Sequence, residues 1–419
     1  MTVRKVAMHE STARRKHGIL RLGQGEKTGR FTVKIVTCRA GAGHTQVAAA
    51  LADALDRHHP DRVSTHIVDA VKDYSPFPYN FLPELYAHWC QRAPTAYGWG
   101  HRLTDGRRRT EFLLKATQPW VRRGMRKLLA DPPADVVVCV HSLENHLLTW
   151  ARRAMKLTTP FVTIVTDPFS AHAVWMAPEA DRVLVGSEEA RGKAMSLGIA
   201  PERVKVTGHL VNTAFIEHLL DPPDAKAVLG WNRDKPGVLL VGGGDGVGSI
   251  EKHAMAIDDV CRGIQIAVVT GRNRRLMNKL QTRRWNNLAH VYGFVDHVTE
   301  MSLLMSAADI LVTKAGPGTL HDAYLAGLPI ILSGSIPRQE DGNVTQVVSS
   351  GAGVWASRPR DVAELTRDLF WKDRRALARM ATRSSLLAQP HAAEAAADEV
   401  WRLLMDGPAI RKTPSESGR

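Results

Sequence analysis

The chain has 419 residues, 44% of them hydrophobic, with a formal net charge of +14. That length fits two domains of ordinary size, and no apolar run approaches the roughly 20 residues that a membrane span needs. Four cysteines, Cys38, Cys90, Cys139 and Cys261, stand without metal-type spacing and read as small buried residues rather than ligands or disulfides.

The positive charge is concentrated. Residues 1–30 hold eight Lys/Arg against two Glu, and residues 101–127 hold nine against Asp105 and Glu111. Such unevenness argues for an anionic partner, either nucleic acid or an anionic membrane face. For residues 1–30 a soluble, disordered basic tail is the favoured reading, because periodic hydrophobics are missing. Met1-Thr2-Val3-Arg4-Lys5 has no apolar stretch behind it, so no secretory signal is expected and the protein is placed in the cytoplasm.

In chain order, Phe31 to Cys38 predicts a strand, Gly41-Ala42-Gly43 a turn and His44 to Arg57 a helix. Strands follow at Ser64 to Val68, Asp135 to Val140, Phe161 to Val165 and Arg182 to Val185, with helical patterns between. Asp221-Pro222-Pro223 and Pro236 break the pattern, which restarts at Gly237 to Val241. Gln265 to Val269, Ala289 to Tyr292, Ile310 to Val312 and Pro329 to Leu332 continue it. The fold class is therefore α/β, with two Rossmann-like parallel-sheet halves: 31–212 and 237–391, joined by a linker over 213–236. A final helix over 392–405 is assigned to the first half, and 406–419 to a tail.

Thr313 to Asp322 reads as strand end, Gly/Pro turn and helix start, with a carboxylate one turn in. Gly316 and Gly318 let backbone N–H groups approach a ligand, Thr319 opens the helix, and the helix N-terminus favours a phosphate. Asp322 is placed to accept from ribose hydroxyls. From spacing alone an ordinary strand-to-helix turn fits equally well.

With its continuation Ile336-Pro337-Arg338-Gln339-Glu340-Asp341-Gly342-Asn343, this stretch resembles the donor-binding region of the diacylglycerol glycosyltransferases. That group includes the monogalactosyldiacylglycerol synthases and is related to the N-acetylglucosaminyltransferase that forms lipid II. The resemblance covers roughly Thr32 to Gly353. It implies the GT-B arrangement, two Rossmann-like domains facing across a cleft, with the closing helix returning to the first domain. It also implies that Gln339, Glu340 and Asn343 face the sugar, that Phe294 in Tyr292-Gly293-Phe294-Val295-Asp296 walls the base pocket, and that Arg272 in Thr270-Gly271-Arg272-Asn273 pairs with a phosphate. A core Phe and a surface Arg are the alternatives. Gly43 and Gly244 are expected on the donor side, although Gly244 belongs to a lone glycine cluster, Gly242 to Gly248, that fits a tight turn as well as a diphosphate lining. Asp322 stands where relatives usually carry Glu, one methylene longer.

His44 is the expected catalytic base; a helix-capping or packing histidine is the alternative, against which the resemblance weighs. A helix N-terminus disfavours imidazolium, and a neutral ring accepts a proton from an attacking hydroxyl. Relatives place their proposed base in Gly-Gly-Gly-His, where this chain reads Gly-Ala-Gly-His. His141, in Val140-His141-Ser142-Leu143-Glu144-Asn145-His146, is assigned to the acceptor side with Asp167 and His172. Capping and buried loop-fixing are the alternatives. His141, His146, Asp167, His172 and His209 are not spaced as metal ligands, so transfer is expected to need no metal and no cofactor.

Between Tyr74 and Trp120 lie ten aromatic residues, among them Trp89, Trp99 and Trp120, interleaved with Arg107, Arg108 and Arg109 and followed by Arg122 and Arg123. This fits a segment lying in the headgroup layer of an anionic membrane. The same composition suits stacking on single-stranded nucleic acid or an aromatic satellite core; the resemblance favours the membrane. The expected protein is an inverting, peripheral enzyme on the inner face of the cell membrane. It would move galactose or glucose from UDP-galactose or UDP-glucose to a lipid hydroxyl, with diacylglycerol first and a polyprenyl-linked or other hydrophobic acceptor second. A nucleic-acid-binding protein is the rival from another class, disfavoured by the Gly316 to Asn343 pattern.

Overall fold

A computed structural model describes residues 30–39, 43–243 and 250–406. Residues 1–29 of the basic tail, Gly41-Ala42, Gly244 and residues 407–419 lie outside the described residues. The strands are β1 (Phe31–Thr37), β2 (Val63–Asp69), β3 (Val136–Cys139), β4 (Phe161–Ile164), β5 (Arg182–Val185) and β6 (Val204–Val206), then β7 (Gly237–Val241), β8 (Gln265–Val269), β9 (Leu288–Tyr292), β10 (Ile310–Lys314), β11 (Ile330–Gly334) and β12 (Gly353–Trp355). They form two six-stranded sheets, β2-β1-β3-β4-β5-β6 and β12-β11-β10-β7-β8-β9. All pairings are parallel. Two facing α/β units of this kind are what the alternating sequence pattern implied.

Strand order fixes where ligands can sit. In the first sheet the chain leaves β1 toward β2 on one side and β3 toward β4 on the other, so the crossover direction reverses between β1 and β3. In the second sheet it reverses between β7 and β10. Crevices open beyond the carboxyl ends of strands at such points. His44 follows β1, His141 follows β3, Gly242-Gly243 follow β7 and Gly316 follows β10.

Each sheet is covered on both faces. Val36, Val137 and Phe161 pack under one helical layer of the first sheet, while Val33, Ile35 and Val138 pack under Val47, Leu51 and Leu55 on the other. Continuous apolar strands are the signature of such doubly covered parallel sheets. The helix Ala392–Asp406 belongs to this first core, with Ala393, Ala396 and Val400 against the helix Gly43–His58. Where the chain passes between domains, the two crossings are joined. Gln389 Oε1 accepts from the His209 backbone N–H at 3.1 Å, and it lies 2.7 Å from where a Cβ on Gly208 would sit.

Residues 213–236 are not an open linker. They form two short helices, Thr213–Glu217 and Pro222–Val228. Phe215 and Trp231 are buried in the second core beside Leu239 and Leu304. The Pro-Pro pair opens the second of these helices, at positions where a missing N–H costs nothing. The three-residue strands β6 and β12 also escaped the sequence pattern, being too short for periodicity to register.

The helix Arg107–Ala130 crosses the first domain with Leu114, Val121, Met125 and Leu128 buried. Gly124 on this helix lies against Tyr74, and an added Cβ would stand 1.6 Å from the Tyr74 carbonyl oxygen. Gly124→Ala should therefore destabilise by about 1–3 kcal/mol or more, as overpacking does. Gly192, exposed in the helix Glu188–Ser196, has nothing within 4 Å of an added Cβ. Gly192→Ala should stabilise by roughly 0.5–1 kcal/mol. Thermal melts that rank the two substitutions the other way would refute this packing.

Candidate active site

His44 is the second residue of the helix Gly43–His58, and the helix brings its ring to the end of β3. Nδ1 lies 2.9 Å from the Val140 carbonyl oxygen and 3.1 Å from Thr166 Oγ1. A carbonyl only accepts, so Nδ1 carries the hydrogen and Nε2 keeps the lone pair. Among the described residues no hydrogen bond engages Nε2. Burial, then the neighbouring His141, pushes the His44 pKa down to about 3 against the pull of the Val140 bond. The ring is a neutral acceptor.

The His141 ring stands edge-on to His44, centroids 4.7 Å apart. Its Nδ1 is bound to the buried Glu144 carboxylate one helical turn on. Burial opposes its protonation, but Glu144 outweighs burial and raises the pKa. Asp167, after β4, accepts from Trp175 Nε1 at 2.7 Å, and burial lifts its pKa to about 6. His172 accepts from the Val174 N–H through Nδ1, and its Nε2–H donates to the His101 carbonyl and Thr104 Oγ1 at 3.1 and 3.2 Å. His172 therefore anchors a helix end, and with His44, His141 and Asp167 it lines one wall. That wall bounds an apolar cavity of about 420 Å³, which also takes in Leu82, Tyr86, Trp89, Tyr97 and Leu114.

From the second domain, Gly316 N-caps the helix Pro317–Leu325. Gly318, in its first turn, lies beside Gln46 of the opposing helix, whose Oε1 would be 3.4 Å from an added Cβ. The N-terminal turns of two helices, one bearing His44 and the other Gly318 and Thr319, thus face each other across the cleft. Asp322 is buried, and His297 Nε2 shares its hydrogen between both carboxylate oxygens at 3.1 and 3.0 Å. One shared N–H leaves lone pairs on each oxygen. Glu340 is bound by Lys314 Nζ and by the Ile336 N–H, and Asn343 donates to the Ala315 carbonyl at 2.8 Å. These two residues hold the loop 336–343 to the Gly316 turn. Gln339 instead reaches the first domain, where Tyr86 and Tyr97 donate to its Oε1. Phe294 is 59% exposed, which removes the core-Phe alternative, and the Arg272 guanidinium lies 4.8 Å over its ring. That pair sits at the rim beyond β8 and β9.

The aromatic segment is not a satellite core. Trp89, Trp99 and Trp120 are 57%, 60% and 67% exposed, and Arg107, Arg108, Arg109, Arg122 and Arg123 are exposed around them. The described helices include none long and apolar enough to cross a membrane. Among the described residues no cluster of His, Cys, Asp or Glu has the makings of a metal site. The sequence offered no signal for the contacts of Tyr86 and Tyr97 with Gln339 or of His297 with Asp322, whose partners lie far away in the chain, nor for that of Trp175 with Asp167.

Several imidazoles in and around this site are held uncharged. Burial lowers His44 to about 3 and His101, His146 and His321 to about 4. Unfolding restores an ordinary value of 6.5, so below that pH the unfolded chain takes up protons the folded one refuses. Stability from these groups falls as pH drops from 6.5 toward 4. Asp167 acts oppositely, holding a proton when folded between 3.8 and about 6. His141 and His297 have raised values and are charged in both states over this window. Four groups outweigh one, and the melting temperature should fall steadily over this range. A flat or rising melting curve would contradict the neutral assignment.

The profile of the monogalactosyldiacylglycerol (MGDG) synthase family matches residues 44–211, and that of the glycosyltransferase family 28 C-terminal domain matches residues 238–397. A probable chloroplastic MGDG synthase of Glycine max is 32% identical over 382 residues, covering 88% of this chain and 70% of its own. Chloroplastic MGDG synthase 1 of Arabidopsis thaliana is 31% identical over 373 residues, covering 86% and 68%. Among solved structures, MurG of Acinetobacter baumannii matches with a TM-score of 0.56 at 16% identity, over 89% of this chain and all of its own. S. aureus MnaA in complex with UDP matches with a TM-score of 0.58 at 14% identity, over 93% of this chain and 100% of that chain. These structural likenesses speak to fold, which is GT-B, while the sequence relatives speak to descent: the chain belongs to the monogalactosyldiacylglycerol synthase family of glycosyltransferases.

Proposed function

We propose that this protein transfers a hexose, galactose or glucose, from a UDP-sugar to the free hydroxyl of diacylglycerol, with inversion, at an anionic membrane surface. The observation that carries this is His44. It presents a neutral ring with Nδ1 fixed and Nε2 unengaged, on the wall of an apolar cavity and opposite a helix N-terminus. A glycerol hydroxyl with its acyl chains in the cavity would give its proton to Nε2 as its oxygen attacks the anomeric carbon. The bond from that carbon to the β-phosphate oxygen breaks, and the departing UDP takes the electron pair. Attack from the face opposite the leaving group gives inversion.

Burial makes His44 a weak base at rest, but a diphosphate brought into the cleft adds negative charge nearby and raises its proton affinity. The charge on the leaving group meets the N–H groups at the start of the helix Pro317–Leu325. Lys314 lies beside Gly316, where an added Cβ would be 2.9 Å from its Nζ. Asp322, oriented by His297, is assigned to the ribose hydroxyls, and Phe294 with Arg272 to the base and phosphate. No metal is required in this scheme. The exposed Trp and Arg residues of the first domain support peripheral placement at an anionic membrane surface, which this reading assigns to the inner face of the cell membrane.

The test is incubation with labelled UDP-galactose or UDP-glucose, diacylglycerol and the purified chain. His44→Ala should lower turnover by on the order of 100- to 10,000-fold, the usual worth of a positioned general base, while UDP still binds. A chelator should leave wild-type turnover intact. Near-normal turnover in the variant would make His44 structural. Loss with chelator, restored by magnesium, would reveal a metal the scheme lacks.

Docking should be salt-sensitive, since each Lys or Arg near an anionic surface contributes about 1 kcal/mol and salt screens it. Replacing Arg107, Arg108, Arg109, Arg122 and Arg123 with Gln should reduce co-sedimentation with phosphatidylserine-containing vesicles at low salt. The exposed tryptophans should retain a residual, salt-resistant fraction. Unchanged pelleting would move the membrane face elsewhere.

A further inference from the structure

The helices Leu82–Arg92 and Pro94–Thr104 project Trp89 and Trp99 outward, yet little of the first domain holds them. Among the residues whose burial is described the former buries none and the latter only Gly98, and neither has a side-chain N-cap. Gly98 is buried against the second domain, where an added Cβ would meet Pro337 Cβ at 3.0 Å. Beyond it, Tyr86 and Tyr97, one from each helix, pack edge-on at 5.5 Å and both donate to Gln339 Oε1 at 2.9 Å. The Gln339 amide also reaches the Asp167 carboxylate. All four of these polar residues line the apolar cavity. The far end of the pair is tied to the first domain through Thr104 and Asp105, which accepts from Lys193 Nζ at 3.0 Å.

We infer that Tyr86 and Tyr97 are positioning residues that couple occupancy of the apolar cavity to nucleotide binding, acting through Gln339. Such coupling rests on the donor and acceptor roles proposed above for the two domains. Anything filling the cavity presses on the two phenol rings, whose hydroxyls hold a residue of the loop 336–343. That loop is bound in turn to the Gly316 turn through Glu340–Lys314 and Asn343–Ala315. The chain of contacts is short and continuous: cavity, tyrosine, Gln339, loop, phosphate-facing turn. The carboxamide suits the task, because its oxygen receives both phenols while its N–H group faces Asp167. Locally weak helices give the device its range, since elements with few buried contacts shift at low cost. Coupling of this kind is reciprocal, so an acceptor that tightens the nucleotide is itself tightened by it.

Calorimetry of UDP binding to the full chain, with and without saturating dioctanoylglycerol, tests this. The wild type should bind UDP more tightly with the lipid present, by roughly 5-fold or more, the usual lower bound of site-to-site coupling. In the Tyr86→Phe/Tyr97→Phe double variant the ratio should fall toward one. Phenylalanine keeps both rings and their edge-on packing, and a matching melting temperature shows that the fold is intact. Gln339→Ala should abolish the same ratio and add nothing when combined with the double variant. If the double variant keeps the wild-type ratio, or the wild type shows none, the tyrosines only pack and the inference is wrong. If the wild type binds no UDP at all, the donor assignment fails first and the coupling with it.

Discussion

One hydrogen bond organises the site: His44 Nδ1 to the carbonyl of Val140. It joins the helix after β1 to the end of β3, the two strands between which the first sheet reverses direction. The carbonyl is already fixed by the ladder, since the Val140 N–H bonds back to Val36. The imidazole therefore inherits its position and its tautomer from the backbone, without any carboxylate to orient it. Glu144 serves His141 instead, and the two rings meet edge-on with different charge tendencies. Two histidines a few ångströms apart thus divide into a neutral acceptor and a ring held toward its protonated form.

Charge in this protein is segregated. The net +14 lies largely on exposed helices and on residues 1–30, while in the cleft burial keeps His44 and His321 neutral and His141 is paired with Glu144. Lys314 is beside the Gly316 turn, but Glu340 offsets it. An anion entering here meets backbone dipoles more than side-chain cations. Preoriented dipoles need no reorganisation as charge moves, which suits a reaction that ends with charge on a leaving group.

Much of this was legible in the chain. Seven-residue β1 and the apolar runs at β3, β7 and β8 announce themselves because doubly covered parallel strands have no polar face. Gly316 to Asp322 and the histidine after β1 stood at strand-to-helix turns, where sequence and topology coincide. Exposure was another matter. Trp89, Trp99 and Trp120 look the same in sequence whether they face solvent or a satellite core, and only packing decides. The region 213–236 read as a linker because Pro222-Pro223 resembles a break, when it is a helix start under which Trp231 is buried. Gln339 was singled out for a sugar, whereas its carboxamide oxygen meets two phenols from the opposite domain. Long-range pairings of this sort leave no local trace.

The helix Ala392–Asp406 completes the first domain's core although the whole second domain precedes it in the chain. During synthesis, β1 to β6 emerge with the apolar face of Gly43–His58 uncovered. At ribosomal speeds of about 5–20 residues per second, the missing helix arrives on the order of ten to forty seconds later. Meanwhile the second domain, whose strands are contiguous in sequence, can fold to completion. The first domain matures last, and until then the side of the helix Gly43–His58 that meets Ala393, Ala396 and Val400 is open to chaperones or to other chains. Biogenesis therefore runs opposite to reading order: the second domain is finished first and the first is sealed by the closing helix.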